Sequence, residues 1–174
     1  MIVDCDNPFT LVYNALWELL ECNEHFKKLV RAGNMIRFAG KEADNAIAKV
    51  ILKTANANAD VPEVRILPRG TVPHIQRTST SSFLTTKLEI QISSGSYKLD
   101  EVLFPVQWAV YRAMSTWQNV VMQLKWKDRN FVHLVRPLSS NDMAMDVDVM
   151  RGIPGWTALW SCEITMDFKT VDLE

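Results

Sequence analysis

Between Trp156 and Lys169 apolar and polar residues alternate strictly along the chain. Trp156, Ala158, Trp160, Cys162, Ile164, Met166 and Phe168 fall on one side. Thr157, Ser161, Glu163, Thr165, Asp167 and Lys169 fall on the other, with Leu159 the one apolar exception. Strand side chains point to opposite faces with period two, so this is a long strand with one buried and one wet face. One-sided burial belongs to antiparallel sheets with helices laid over a single face. The expected fold class is therefore α+β, an antiparallel β-sheet with helices packed mainly on one face.

The earlier chain supplies the remaining elements. Asn7 followed by Pro8 has the form of a helix cap with proline in the first turn, and Val12, Ala15, Leu16, Leu19 and Leu20 keep helical spacing over 8–21. Asn23 offers a second cap, for a short helix marked by Phe26, Leu29 and Val30 that ends near Gly33. Lys27, Lys28 and Arg31 suit the negative end of its dipole. Met35–Phe38 is a short strand, 42–54 a further helix, and the TANANAD run over 54–60 a loop. Pro62 and Pro68 bound a strand over 61–67, placed at a sheet edge because proline cannot donate to a ladder. Residues 69–82, rich in Gly, Pro, Ser and Thr, form a long connecting excursion or an extended hairpin. Leu84, Thr86, Leu88, Ile90 and Ile92 alternate with polar residues in a second strand, followed by a turn at Gly95.

Over 105–117 the helical pattern is apolar almost all round. Val106, Ala109, Val110, Ala113 and Trp117 form the inward stripe, while Phe104, Trp108, Tyr111 and Met114 lie on the other side. Such a helix is buried on both sides or covered by a partner. Residues 131–135 make a shorter strand and 138–155 a loop before the closing strand.

Composition narrows the class without naming a chemistry. The 174 residues are 48% apolar and 22% charged, as in a single globular domain rather than a disordered chain. A net charge of −1 gives no general attraction for nucleic acid or an anionic membrane. Met1–Pro8 lacks the pattern of a secretory signal, and apolar runs such as Val102–Val106 are too short to span a bilayer. Cys5, Cys22 and Cys162 form no close pair, which points to reduced thiols in a cytoplasmic setting.

Each candidate for chemistry has a stronger structural reading. Cys162 falls on the apolar face of a strand, where cysteine is a small hydrophobe rather than a nucleophile. His25, His74 and His133 share no metal-ligand spacing. Asp142, Asp146 and Asp148 lack the glycine and terminal glutamate of a calcium loop. Lys125, Trp126, Lys127, Arg129 and Phe131 interleave cations with aromatics as single-strand binding surfaces do, but a solvated hairpin with a packed tryptophan explains them as well. There is no phosphate-binding glycine loop and no G-x-S-x-G elbow.

The order of the elements resembles the tail terminator, or tail completion, proteins of long-tailed bacteriophages. The resemblance is carried by an opening helix (NALWELLECNEHFKKLV), a proline-flanked strand (VPEVRILPRG), the excursion, and an alternating strand (FLTTKLEIQI). A helix (PVQWAVYRAM) and a tryptophan-bearing final strand (GWTALWSCEITMDF) complete it. It implies a structural virion protein: an α+β subunit that joins a homo-oligomeric, hexameric ring at the head-proximal end of the tail tube. That ring stops tube polymerisation and offers a surface to the head–tail connector protein, with no cofactor and no catalysis. The implied location is the virion tail, and the host cytoplasm during assembly. Phe104, Trp108 and Tyr111 are the candidate contacts within a ring. Arg69, His74 and Arg77 are the candidate contacts for an acidic surface of the tube or adjoining ring. The alternatives are a head–tail connector subunit, a small single-stranded nucleic-acid-binding module resting on 125–131, and a cysteine-dependent enzyme resting on Cys162.

Overall fold

The computed structural model describes residues 7–31, 34–38, 62–73, 81–94, 99–137, 143–148 and 153–169. The helix expected over 42–54, the loop over 54–60, the Gly95 turn, His74 and Arg77 lie outside the described residues.

The chain opens with helix α1 (Pro8–Cys22) and helix α2 (Glu24–Leu29). Both start where a side chain replaces the missing acceptor of the first turn. Asn7 Oδ1 accepts from Thr10 N at 2.9 Å, and Asn23 Oδ1 accepts from Phe26 N at 3.0 Å. Asn23 also ends α1, its own N–H donating to Leu20 O, so one residue sets the corner between the helices. The buried stripe of α1 includes Val12, Ala15, Leu16, Trp17 and Leu20.

Strand β1 (Met35–Ile36) pairs in parallel with β2 (Glu63–Pro73), and β2 pairs antiparallel with β3 (Ser81–Ser94). A second helical region follows. A π-helical turn (Leu99–Leu103) leads into α3 (Phe104–Ala113), a 3₁₀ turn (Met114–Thr116) and α4 (Trp117–Met122). The hairpin of β4 (Lys125–Trp126) and β5 (Arg129–Asn130) precedes β6 (Val132–Pro137), β7 (Met143–Asp148) and β8 (Ile153–Lys169). The main sheet runs β1-β2-β3-β8-β6, with β7 also on β8.

β8 is the central strand. β3 lines one edge from Ser81↔Lys169 to Ser94↔Trp156. Along the other edge β6 pairs with Cys162–Met166, and β7 pairs with Ile153–Ala158. β6 and β7 thus form one interrupted antiparallel strand against a continuous one. The loop expected over 138–155 is corrected here, because 143–148 and 153–155 are strand. The acidic cluster obscured an alternation of Met143, Met145 and Val147 with Ala144, Asp146 and Asp148.

The two faces of the sheet divide as the alternation requires. Val64, Ile66, Leu88, Ile90, Ile92, Ala158, Cys162, Ile164, Met166 and Phe168 are buried in one cluster with the inward residues of the helices. The fold is α+β, a largely antiparallel sheet with helices on one face. On the other face, ion pairs run across the strands. Glu163 accepts from Arg136 Nε at 3.0 Å and pairs with Lys87 Nζ at 3.5 Å, while Arg69 Nε donates to Glu89 at 2.5 Å. The Thr85 and Thr165 hydroxyls meet at 2.9 Å.

β2 is longer than expected. It continues through Pro68 to Pro73, with a bulge between Pro68 and Gly70. Gly70 has φ +126°, a conformation that suits glycine. β2 is not the edge strand expected, because β1 pairs with Val64 and Arg65; Pro68 pairs with Leu88 of β3 beside the bulge, where a ladder tolerates proline. Met114, expected on the outer side of its helix, is buried. Met114 follows Val110 by four residues, so helical spacing itself brings it to the edge of the buried stripe.

Two stability effects follow. Trp117 is buried and meets Trp160 edge-on at 5.1 Å, so Trp117→Ala should cost about 3–5 kcal/mol. Cys162→Ala, a smaller deletion, should cost about 1–2 kcal/mol. Urea denaturation measures both, and equal costs would contradict this packing. Arg136, then Lys87, hold the Glu163 carboxyl below its ordinary range. For a depressed carboxyl the stabilisation is present at neutral pH and is lost as pH falls through the carboxylate range. Glu163→Gln should therefore flatten the acid side of the stability–pH curve, and an unchanged acid limb would contradict the pairing.

Candidate functional site

Pro105 sits in the first turn of α3 and Arg112 in its last, both favourable positions. The helix buries Val106, Ala109, Val110 and Ala113 against the core. Phe104, Trp108 and Tyr111, spaced four and three residues apart, then share the outward face. They are 43%, 55% and 58% exposed. The rings of Trp108 and Tyr111 stack with centroids 5.4 Å apart and planes inclined by 14°. Beside them a groove of about 320 Å³ opens between α3 and the sheet. Its helical wall is Phe104, Trp108 and Tyr111, and its sheet wall is Ile92, Leu159 and Trp160. Gln107 is its polar group.

The sheet wall could not be assembled from sequence spacing, because Ile92 and Leu159 are 67 positions apart and meet only through strand pairing. Leu159, the exception in the alternation of β8, contributes to this wall.

Of the candidate contacts Arg69, His74 and Arg77, Arg69 alone is among the described residues. Arg69 belongs to β2 and is paired with Glu89, so its charge is largely neutralised within the subunit. In the β4–β5 hairpin, Lys127 and Asp128 take positive φ values of 48° and 61°, the conformation of a tight two-residue turn. Lys127 Nζ lies 4.7 Å from the centroid of the Trp126 ring, and Phe168 meets that ring edge-on. Trp126 therefore leaves less open ring surface for base stacking than a single-strand platform uses.

Cys162 is fully buried between Ile164 and Trp160 on the core face, and burial pushes its thiol up to about 12. A thiol so held carries almost no thiolate at neutral pH. His25 is exposed on α2, and His133 meets Phe83 edge-on at 5.3 Å. Among the described residues no group of three His, Cys, Asp or Glu side chains is placed to hold a metal ion. No helix among them is long and apolar enough to cross a membrane.

Alkylation of the native protein at mildly alkaline pH should label the exposed Cys22 and spare Cys162 until the protein unfolds. Peptide mass spectrometry reads this directly, and comparable native labelling of the two would contradict the burial of Cys162. Comparison with protein-family models finds no match to the chain, and comparison with curated proteins finds none either.

Proposed function

We propose that the protein is a structural subunit of a phage tail, a tail terminator that forms a ring at the head-proximal end of the tail tube. The ring, hexameric by resemblance, stops tube polymerisation and meets the head–tail connector, and the subunit works in the virion after assembly in the host cytoplasm. The observation that carries this reading is the aromatic face of α3, which a lone subunit leaves in water. The element order on which the family resemblance rests supports it as well.

Magnitudes favour a contact that depends on assembly. Three half-exposed aromatic rings offer roughly 300 Å² of apolar surface. Covering it contributes about 7 kcal/mol. Bringing two proteins together costs roughly 4–15 kcal/mol, so the patch alone gives weak pairwise association. Closing a ring, or seating subunits on a tube end, makes later contacts effectively intramolecular and strengthens the whole.

Concentrated protein, alone and with purified tail tubes of the same phage, should show rings or ring-capped tube ends by negative-stain microscopy. Trp108→Asp should keep the melting temperature within a few degrees and abolish those particles. Only monomer by native mass spectrometry, with and without tubes, would overturn the proposal.

A further inference from the structure

On the face of the sheet away from the helices, one acidic group stands outside the network of ion pairs. Asp167 Oδ1 is buried and has no hydrogen-bond partner. A buried acceptor left unpaired costs free energy, so a donor brought to it would be stabilising. Asp167 stands on β8 directly opposite Phe83 of β3. Along the other edge of β8, the register of β6 shifts between Val132, opposite Met166, and Leu134, opposite Thr165. His133 is the extra residue of that bulge, and it is exposed. A bulge re-aims a side chain, and here the His133 ring meets Phe83 edge-on with centroids 5.3 Å apart. β8 lies between β3 and β6, so this contact reaches across β8 on the face that holds Asp167.

We propose that His133 and Asp167 form a proton-controlled latch, in which the protonated imidazole donates to the unpartnered Asp167 oxygen and ties the bulge of β6 to β8. The latch is independent of the ring reading. Histidine is the side chain whose charge ordinarily changes between about pH 5 and 8. A neutral imidazole can donate one N–H, but only the imidazolium sets a positive charge against the carboxylate. The other charged groups around this position have different chemistry. Glu163 is shared by Arg136 and Lys87, and Lys169 stands one strand period beyond Asp167, opposite Ser81. Arg129 lies two residues before Phe131, whose carbonyl accepts from Asp167 N at 2.7 Å. Lysine and arginine ordinarily hold their charge throughout the histidine range, which leaves the imidazole as the group that switches. The latch adds stability when His133 is charged, so its contribution is present at mildly acidic pH and lost as pH rises through the histidine range. The Glu163 pairing acts with the opposite sign and at lower pH, so the two effects are separable.

Urea denaturation of the full chain between about pH 7.5 and 5.5 tests this. Relative to His133→Phe, which keeps an aromatic ring beside Phe83, the wild type should gain roughly tenfold in its folding equilibrium constant on acidification, the size of one hydrogen bond to a charged group. Asp167→Asn should remove the same gain, and His25→Gln, on the exposed side of α2, should keep it. Nuclear magnetic resonance of the wild type gives a second readout that needs no variant. The ring nitrogens of His133 and the carboxyl carbon of Asp167 should shift together over the same range. The proposal fails if His133→Phe and wild type change stability in parallel. It fails equally if the Asp167 carboxyl signal stays fixed while the His133 ring titrates.

Discussion

The backbone ladder along β8 is the interaction on which the rest of the structure depends. β8 is hydrogen-bonded on both edges, by β3 over fourteen paired positions on one side and by β6 and β7 in succession on the other. A strand paired on both edges has its register held from two directions. A slip of one residue would send Cys162, Ile164, Met166 and Phe168 into water and bury Glu163 and Asp167. The helices need a flat apolar surface to lie on, and β3 and β8 provide most of it.

The opposite face shows how a sheet covered by helices on one side keeps its other side polar. Glu163 sits deep between strands and is shared by Lys87 and Arg136, both of which are much more exposed than the carboxyl. The long basic side chains lie over the acids with their heads in water, so the acids are paired without full burial of either charge. Arg69, at the bulge between Pro68 and Gly70, joins the same pattern through Glu89. Its role is structural first, and any contact with a partner would have to compete with Glu89.

The helical layer has a different character. α3 satisfies the core with one stripe and presents a second aromatic stripe outward. The stacked Trp108–Tyr111 pair stiffens that stripe, and β3 and β8 set its floor. A preformed concave surface loses little conformational entropy when covered.

Local pattern determined much of this. The alternation of β3 and β8, both helix caps, the inward stripe of α3 and the buried place of Cys162 follow from period and residue chemistry, which act over a few neighbouring positions. The groove does not follow from them, because Ile92, Leu159 and Trp160 reach Trp108 only through pairing between distant strands. The pairing of Arg69 with Glu89 depends on cross-strand register. β7 lay within reach of pattern, but a six-residue alternation carrying two aspartates is stable as a strand only because β8 is there to pair with it. Sequence alone determined which faces are apolar. Tertiary structure decided which of those faces the core covers and which it leaves exposed, since coverage depends on where distant segments meet.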